Sequence, residues 1–308
     1  MRPGPSGDRP PDHSGSGTVL TRRTFVGFSG LAIPGLGCAA YRGAADVRGR
    51  LEQLEKLNGG RIGVTMLDTA TGGFASHRQH ERFPMCSTFK FLLAGAVLQR
   101  VDHGRESLQR ALAIPALPLL SHSPLTQAHA GASMSIEALC HAVLTQSDNT
   151  AANLLLGTLG GPAGITEFSR SIGDGETRLD RTELALNEAL ANDPRDTTTP
   201  AAMAGDMKLL LLGSVLTPAS RSQLTAWMQA SVTGLDRLRA NLPSGWRAAD
   251  KTGSNGQHTT NDIAIFWPPA RPAVIVTAYI TQCRGPESKR AGILRQIGQL
   301  VVETIASG

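Results

Sequence analysis

The chain has 308 residues, 41% of them hydrophobic and 18% charged, which fits a soluble globular protein of one large domain or two modest lobes. The net charge is +5, and two of those charges fall in residues 1–40. The remaining excess is spread too thinly to predict a nucleic-acid partner. The four cysteines (Cys38, Cys86, Cys140 and Cys283) form neither a CxxC pair nor a Cys/His cluster, so no zinc site and no cofactor are expected.

Residues 1–18 are rich in Pro, Gly, Ser and Asp and are expected to be disordered. Arg22-Arg23 then precedes a mild apolar stretch ending near Leu36. That stretch is too short and too glycine-rich to span a membrane. A paired arginine before such a stretch resembles a twin-arginine export signal, which implies a periplasmic protein. The following Gly37-Cys38-Ala39-Ala40 has two readings. Cys38 is lipidated and attaches the protein to a membrane, or the small residues mark a cleavage site that releases a soluble one. Export in the folded state from a reducing cytosol is compatible with free thiols at Cys86, Cys140 and Cys283.

Residues 41–308 form the expected functional domain. Residues 44–58 predict an amphipathic helix, with Leu51, Leu54 and Leu57 at helical spacing. Ile62, Val64 and Met66 alternate as in a strand, and the turn 68–73 predicts a hairpin. An apolar helix is expected over Ser87 to Leu98, followed by mostly helical signals to about residue 230. Residues 174–200 form a long irregular stretch, and loops of that length in compact domains usually serve function. Strands are expected at 247–253, 260–267 and 273–280, and a last helix at about 287–305. Strands at both ends and helices between them predict an α/β lobe (about 41–84 and 230–308) with an inserted helical lobe (about 85–229).

Three short motifs carry chemistry. In Ser87-Thr88-Phe89-Lys90 the serine and lysine are three apart, and on a helix they share a face. A lysine among Phe89, Phe91, Leu92 and Leu93 is poorly solvated, which lowers its pKa and suits it to activate a neighbouring hydroxyl. Ser-x-x-Lys alone is a weak signal, because an N-cap serine and a snorkelling lysine give the same spacing. Ser147-Asp148-Asn149 lies inside a helical stretch, where three short polar residues are a poor interior. The alternatives are a helix N-cap cluster or a proton shuttle at Ser147. In Lys251-Thr252-Gly253, lysine and threonine on an edge strand can bind a carboxylate, and the glycine lets substrate approach the backbone.

In this order the three motifs resemble the trio of the class A serine β-lactamases and penicillin-binding proteins. The likeness runs from about residue 42 to the C-terminus. It implies a two-lobed β-lactamase/transpeptidase-like fold, with an antiparallel sheet flanked by helices plus an all-helical lobe. It implies Ser87 as nucleophile, Lys90 or Glu183 as the base that activates it for acylation, and Ser147 as proton shuttle to the leaving nitrogen. Arg181 to Asn187 is similar to the family's glutamate loop, in which Glu183 and Asn187 hold the deacylating water and Arg181 pairs with Asp196. The same resemblance places the oxyanion hole at the backbone amides of Ser87 and Ser254. It assigns Asn149, Lys251, Thr252 and Gly253 to the substrate and Asn153 to the orientation of Glu183.

The pattern also departs from the family. Where many members carry a carboxylate-binding arginine the chain has Thr260, and Arg237 resembles the alternative arginine of other members. The usual aromatic residue of the cleft rim is His122. Cys86 and Cys140 resemble half-cystines whose partner positions are Asn255 and Ala94, so neither bridge is expected. The reading is a monomeric hydrolase of penicillins and cephalosporins. The alternatives are a penicillin-binding D,D-peptidase and a lipid-anchored sensor that acylates and stops; Glu183 argues against both.

Overall fold

In the computed structural model, which describes residue 1 and residues 44–306, the first element is helix α1 (Ala44–Asn58). The Arg22-Arg23 pair and Cys38 lie outside the described residues. Val47 and Leu51 of α1 are buried, and Leu54 packs beside them. Leu57 is 73% exposed, which corrects the expected stripe. Positions i, i+4 and i+7 from Val47 share a face; Leu57 falls one position short of the next turn.

The strands are β1 (Arg61–Asp68), β2 (Phe74–His77), β3 (Phe83–Pro84), β4 (Ala111–Ala113), β5 (Ser133–Ser135), β6 (Thr197–Thr198), β7 (Arg247–Ser254), β8 (Thr260–Trp267) and β9 (Val274–Thr281). The further helices are α2 (Phe89–Asp102), α3 (Pro124–Gln127), α4 (Ile136–Thr145), α5 (Asn149–Thr158), α6 (Pro162–Ser171), α7 (Pro200–Leu211), α8 (Pro218–Gln229) and α9 (Glu287–Ala306). None of the described helices is long and apolar enough to cross a membrane. Five strands form one antiparallel sheet in the order β2-β1-β9-β8-β7. The two ends of the chain therefore meet at β1 and β9, and β7 is an edge strand. Two short pairs, β3 with β6 and β4 with β5, stand apart from it.

Both faces of the sheet are covered. Ile62, Val64, Phe266, Val276 and Ile280 face α1 and α9. Ile263, Ile265, Ile275 and Tyr279 face a core that includes Phe89, Phe91 and Leu92 of α2. This double burial explains why β8 and β9 read as almost continuous apolar runs. On the second face, a Cβ at Gly63 would fall 2.3 Å from the Phe83 ring. The glycine makes room for β3, which leads directly into the turn that bears Ser87.

Two buried carboxyl groups meet where α6 runs into the long loop. Asp206 of α7 is 1% exposed and faces Asp174, whose Oδ1 accepts from the Glu176 and Thr177 amides. Burial first, and then the Asp174 charge, pushes the Asp206 carboxyl up to about 9. Such a group keeps its proton in the folded state and loses it in the unfolded one between about pH 4 and 9, so it lowers stability as pH rises. Asp206→Asn keeps a donor for Asp174 and abolishes this titration. The variant is expected to be more stable than the parent at pH 8 by on the order of 1–3 kcal/mol, with a smaller gain at pH 5. Urea unfolding at both pH values checks this, and an equal difference at the two would refute it.

Candidate active site

Ser87 sits in a single 3₁₀ turn, Cys86–Thr88, and the α-helix starts at Phe89. The nucleophile candidate therefore precedes the helix expected to begin with it. Cys86 has φ +44°, a left-handed conformation that costs a non-glycine residue about 1–3 kcal/mol. Neighbours hold it there. Asn261 Nδ2 of β8 donates to the carbonyls of Pro84 (2.8 Å) and Met85 (3.0 Å), and the Met85 amide donates to the Asp196 carbonyl at 2.9 Å. Burial also pushes the Cys86 thiol well up.

Gly253 lines the cleft and also has a packing role that its motif does not reveal. A Cβ there would lie 2.7 Å from the Met85 carbonyl oxygen and 3.1 Å from the Ser87 amide nitrogen. The missing side chain lets β7 lie directly against the Ser87 turn, rather than only admitting substrate. That approach puts Ser254 and Ser87 on one cleft.

Lys90 is fully buried one turn beyond Ser87. Its Nζ lies 3.0 Å from Ser87 Oγ, 2.6 Å from Asn149 Oδ1, 2.8 Å from the Ser147 carbonyl and 3.0 Å from Glu183 Oε1. Desolvation lowers its pKa, and the Glu183 carboxylate opposes that shift.

Ser147 is not inside a helix. Its φ is +59°, and it links α4 to α5. Asp148 caps α5, accepting from the Ala151 amide at 2.9 Å, and also binds the Leu125 and Thr126 amides. The N-cap reading and the placement of Ser147 in the site both hold within the one motif. Ser147 Oγ accepts from Lys251 Nζ at 3.1 Å and lies 3.4 Å from Lys90 Nζ. Lys251 is fully buried, and burial followed by the Lys90 charge lowers its pKa strongly. Its Nζ also donates to the Thr252 carbonyl at 2.7 Å.

The long loop brings Glu183 to the other side of Ser87. Ser87 Oγ donates to Glu183 Oε1 at 3.4 Å, and Asn187 Nδ2 donates to Glu183 Oε2 at 2.6 Å. Asn187 Oδ1 is buried with no protein partner among the described residues. Asn153 clamps the Glu183 backbone, donating to its carbonyl (2.8 Å) and accepting from its amide (2.9 Å). Arg181 Nε donates to Asp196 Oδ2 at 2.6 Å, and Asp196 also accepts from the amides of Asp180 and Arg181.

The cleft has a volume of about 550 Å³ and is lined by Ser87, His122, Asn149, Thr252, Ser254 and Arg237, among others. The His122 ring is held at the rim by the Gln146 carbonyl at 2.9 Å. Asn149 donates to the Ser121 carbonyl at 2.9 Å, so both ends of its amide are engaged. Arg237 Nη1 donates to the carbonyls of Asn261 (2.8 Å) and Gly253 (3.3 Å), and Nη2 pairs with Glu287 at 2.9 Å. Thr260, the first residue of β8, is buried, accepts from Arg290 Nε at 2.9 Å, and does not line the cleft. Glu287 had no local signal; it meets Arg237 across 50 residues of sequence. A groove of about 580 Å³ behind the long loop, between Arg61, Arg82 and Asp193, contains none of these site residues. Among the described residues, no group of three His, Cys, Asp or Glu side chains is placed to hold a metal ion.

Comparison with known proteins matches residues 46–305 to the Beta-lactamase enzyme family. Beta-lactamase L2 of Stenotrophomonas maltophilia is 46% identical over 92% of this chain and 98% of its own. An ancestral class A β-lactamase of known structure superposes with TM-score 0.82 at 55% identity, over 83% of this chain and 99% of that one. The chain belongs to the class A β-lactamases. A β-lactamase from Xanthomonas campestris pv. campestris gives TM-score 0.83 at 48% identity, over 85% of this chain and 98% of that one. Membership makes the protein a serine hydrolase acting on β-lactams, with the mixed helical and antiparallel-sheet fold of that family.

The contact at Gly253 gives a direct test in this β-lactamase. Gly253→Ala must displace backbone atoms, not a flexible side chain. The expected result is a loss of roughly 1–3 kcal/mol of stability and at least a ~100-fold slower acylation of Ser87. Thermal melts and stopped-flow acylation with a chromogenic cephalosporin measure the two effects, and near-parental acylation would show that β7 does not position Ser87.

Proposed function

We propose that Ser87 and Glu183 divide the hydrolysis of penicillins and cephalosporins into acylation and deacylation. The observation that carries this reading is the Glu183 carboxylate, with one oxygen 3.4 Å from Ser87 Oγ and the other held by Asn187 at 2.6 Å. Lys90, the nearer base at 3.0 Å with its pKa lowered by burial, takes the Ser87 proton as Oγ bonds to the lactam carbonyl carbon. The amides of Ser87 and Ser254 receive the oxyanion; such a donor contributes about 2.7–4 kcal/mol to transition-state stabilisation. The C–N bond breaks, and Ser147 passes its proton to the nitrogen while taking in return the proton that Lys90 received from Ser87. Lys251 and Lys90, both against Ser147 Oγ, favour its proton leaving.

Deacylation then uses a water between Glu183 and the ester. Glu183 accepts its proton, and the free Oδ1 of Asn187 can accept its second hydrogen. The hydroxide adds to the ester carbon, the bond to Ser87 Oγ breaks, and the proton held by Glu183 returns to Oγ, which restores the carboxylate. Thr252, Ser254 and Arg237 would receive the substrate carboxylate, while Asn149 and His122 would border its acylamino side chain. Asn153, Arg181 and Asp196 would hold the loop.

The same proposal covers the chain's organisation. Residues 1–40 act as a twin-arginine leader, and residues 41–308 work as a monomeric catalytic domain in the periplasm. The mature protein is either soluble or attached through lipidated Cys38. Intact mass of the protein recovered from cells decides between those two forms.

Glu183→Ala is expected to accumulate an acyl-enzyme with a mass shift of one β-lactam, while acylation slows less than ~10-fold. Intact-mass spectrometry after seconds of mixing reads this, and absence of an adduct would move Glu183 into acylation. In the parent, steady turnover of a chromogenic cephalosporin beyond one equivalent is expected. A burst of one equivalent followed by arrest would identify a protein that acylates and stops.

A further inference from the structure

Among the described residues that line the cleft, Arg237 is the one Lys or Arg side chain and Glu287 the one Asp or Glu side chain. They pair with each other at 2.9 Å. Arg237 is only 10% exposed through its side chain, and its Nη1 is committed to the Asn261 and Gly253 carbonyls. Glu287 is 40% exposed and lies in the first turn of α9, where the helix dipole favours a carboxylate. The cationic centres nearer Ser87, Lys90 and Lys251, are fully buried and already hydrogen-bonded. A substrate whose carbonyl carbon sits at Ser87 and whose carboxylate reaches Thr252 and Ser254 therefore meets a neutralised arginine with an exposed carboxylate beside it.

We propose that Glu287 is a specificity-determining residue, which selects β-lactams by the charge of the group carried next to their carboxylate and favours a cationic group there. This rests on the reading of Arg237 as a partner of the substrate carboxylate. In a cephalosporin, the C3 substituent is attached to the carbon adjacent to the one bearing that carboxylate. A pyridinium at C3 lies toward Glu287 and gains its attraction. A neutral substituent gains nothing and still contends with Glu287 for Arg237. The interaction is solvent-exposed, so its size is that of an exposed ion pair, about two- to fivefold in binding. It is made before bond breaking and persists through it, so it belongs in KM more than in kcat.

The test uses two cephalosporins that share a thienylacetamido side chain and differ only at C3, acetoxymethyl in one and pyridiniomethyl in the other. Glu287→Gln is expected to lower the ratio of kcat/KM for the cationic over the neutral substrate about two- to fivefold, chiefly through KM. Glu287→Asp, which keeps the charge, is expected to retain the parental ratio. An unchanged ratio in Glu287→Gln overturns the proposal, as does an equal loss in Glu287→Asp, which would assign the effect to shape. Arg237→Ala separates this from the underlying reading. It is expected to raise KM for both substrates alike. An unchanged KM there removes Arg237 from the carboxylate role, while the Glu287→Gln ratio still decides the role of Glu287.

Discussion

An amine buried away from solvent must find its hydrogen-bond partners in the protein, and Lys90 imposes that demand on this fold. Its amine takes contacts from the Ser87 turn, from the Ser147–Asn149 link and from Glu183 in the long loop. These three segments belong to different parts of the chain. Each has to be in place before the lysine is satisfied, since a buried polar group left without partners costs about 1–3 kcal/mol. The catalytic arrangement is therefore coupled to the packing of the interior.

Several segments around the lysine adopt conformations that would not persist alone. Cys86, His122, Ser147 and Asp196 all have positive φ. Each is held from outside its own segment: Asn261 and Gly253 pack on the Ser87 turn, Gln146 holds His122, Lys90 and Lys251 donate to Ser147, and the Met85 amide binds the Asp196 carbonyl. Such strain concentrates where a site must be held in a fixed geometry. The sheet supplies the rigid part, because β7 and β8 are buried on both faces and cannot yield to the turn they press against.

Much of the fold was legible because its signals are local. The strands at 247–254, 260–267 and 274–281 lie within one residue of the positions expected from their composition. The helix 287–306 and the long loop before α7 were equally clear. The misreadings have local causes too. Ser147 looked helical because Thr150-Ala151-Ala152 continues as a helix, yet Asp148 caps that helix from outside and Ser147 precedes the cap. Leu57 fitted a three-residue spacing, but the burial stripe starts at Val47.

By itself the sequence singled out the candidate reacting groups. Ser87, Lys90, Ser147, Glu183 and Lys251 are recognisable because their order and spacing form motifs that a chain of this length seldom contains together. It also determined the strands, through apolar runs. Only the tertiary structure decided how those groups are used. It joined Lys251 to Ser147, gave Gly253 to the packing of β7 on the nucleophile turn, and set Glu287 against Arg237. The physical reason is that burial depth and pairing between distant segments depend on what the rest of the chain places nearby. A motif specifies which chemical groups are present, but not their solvation or their partners.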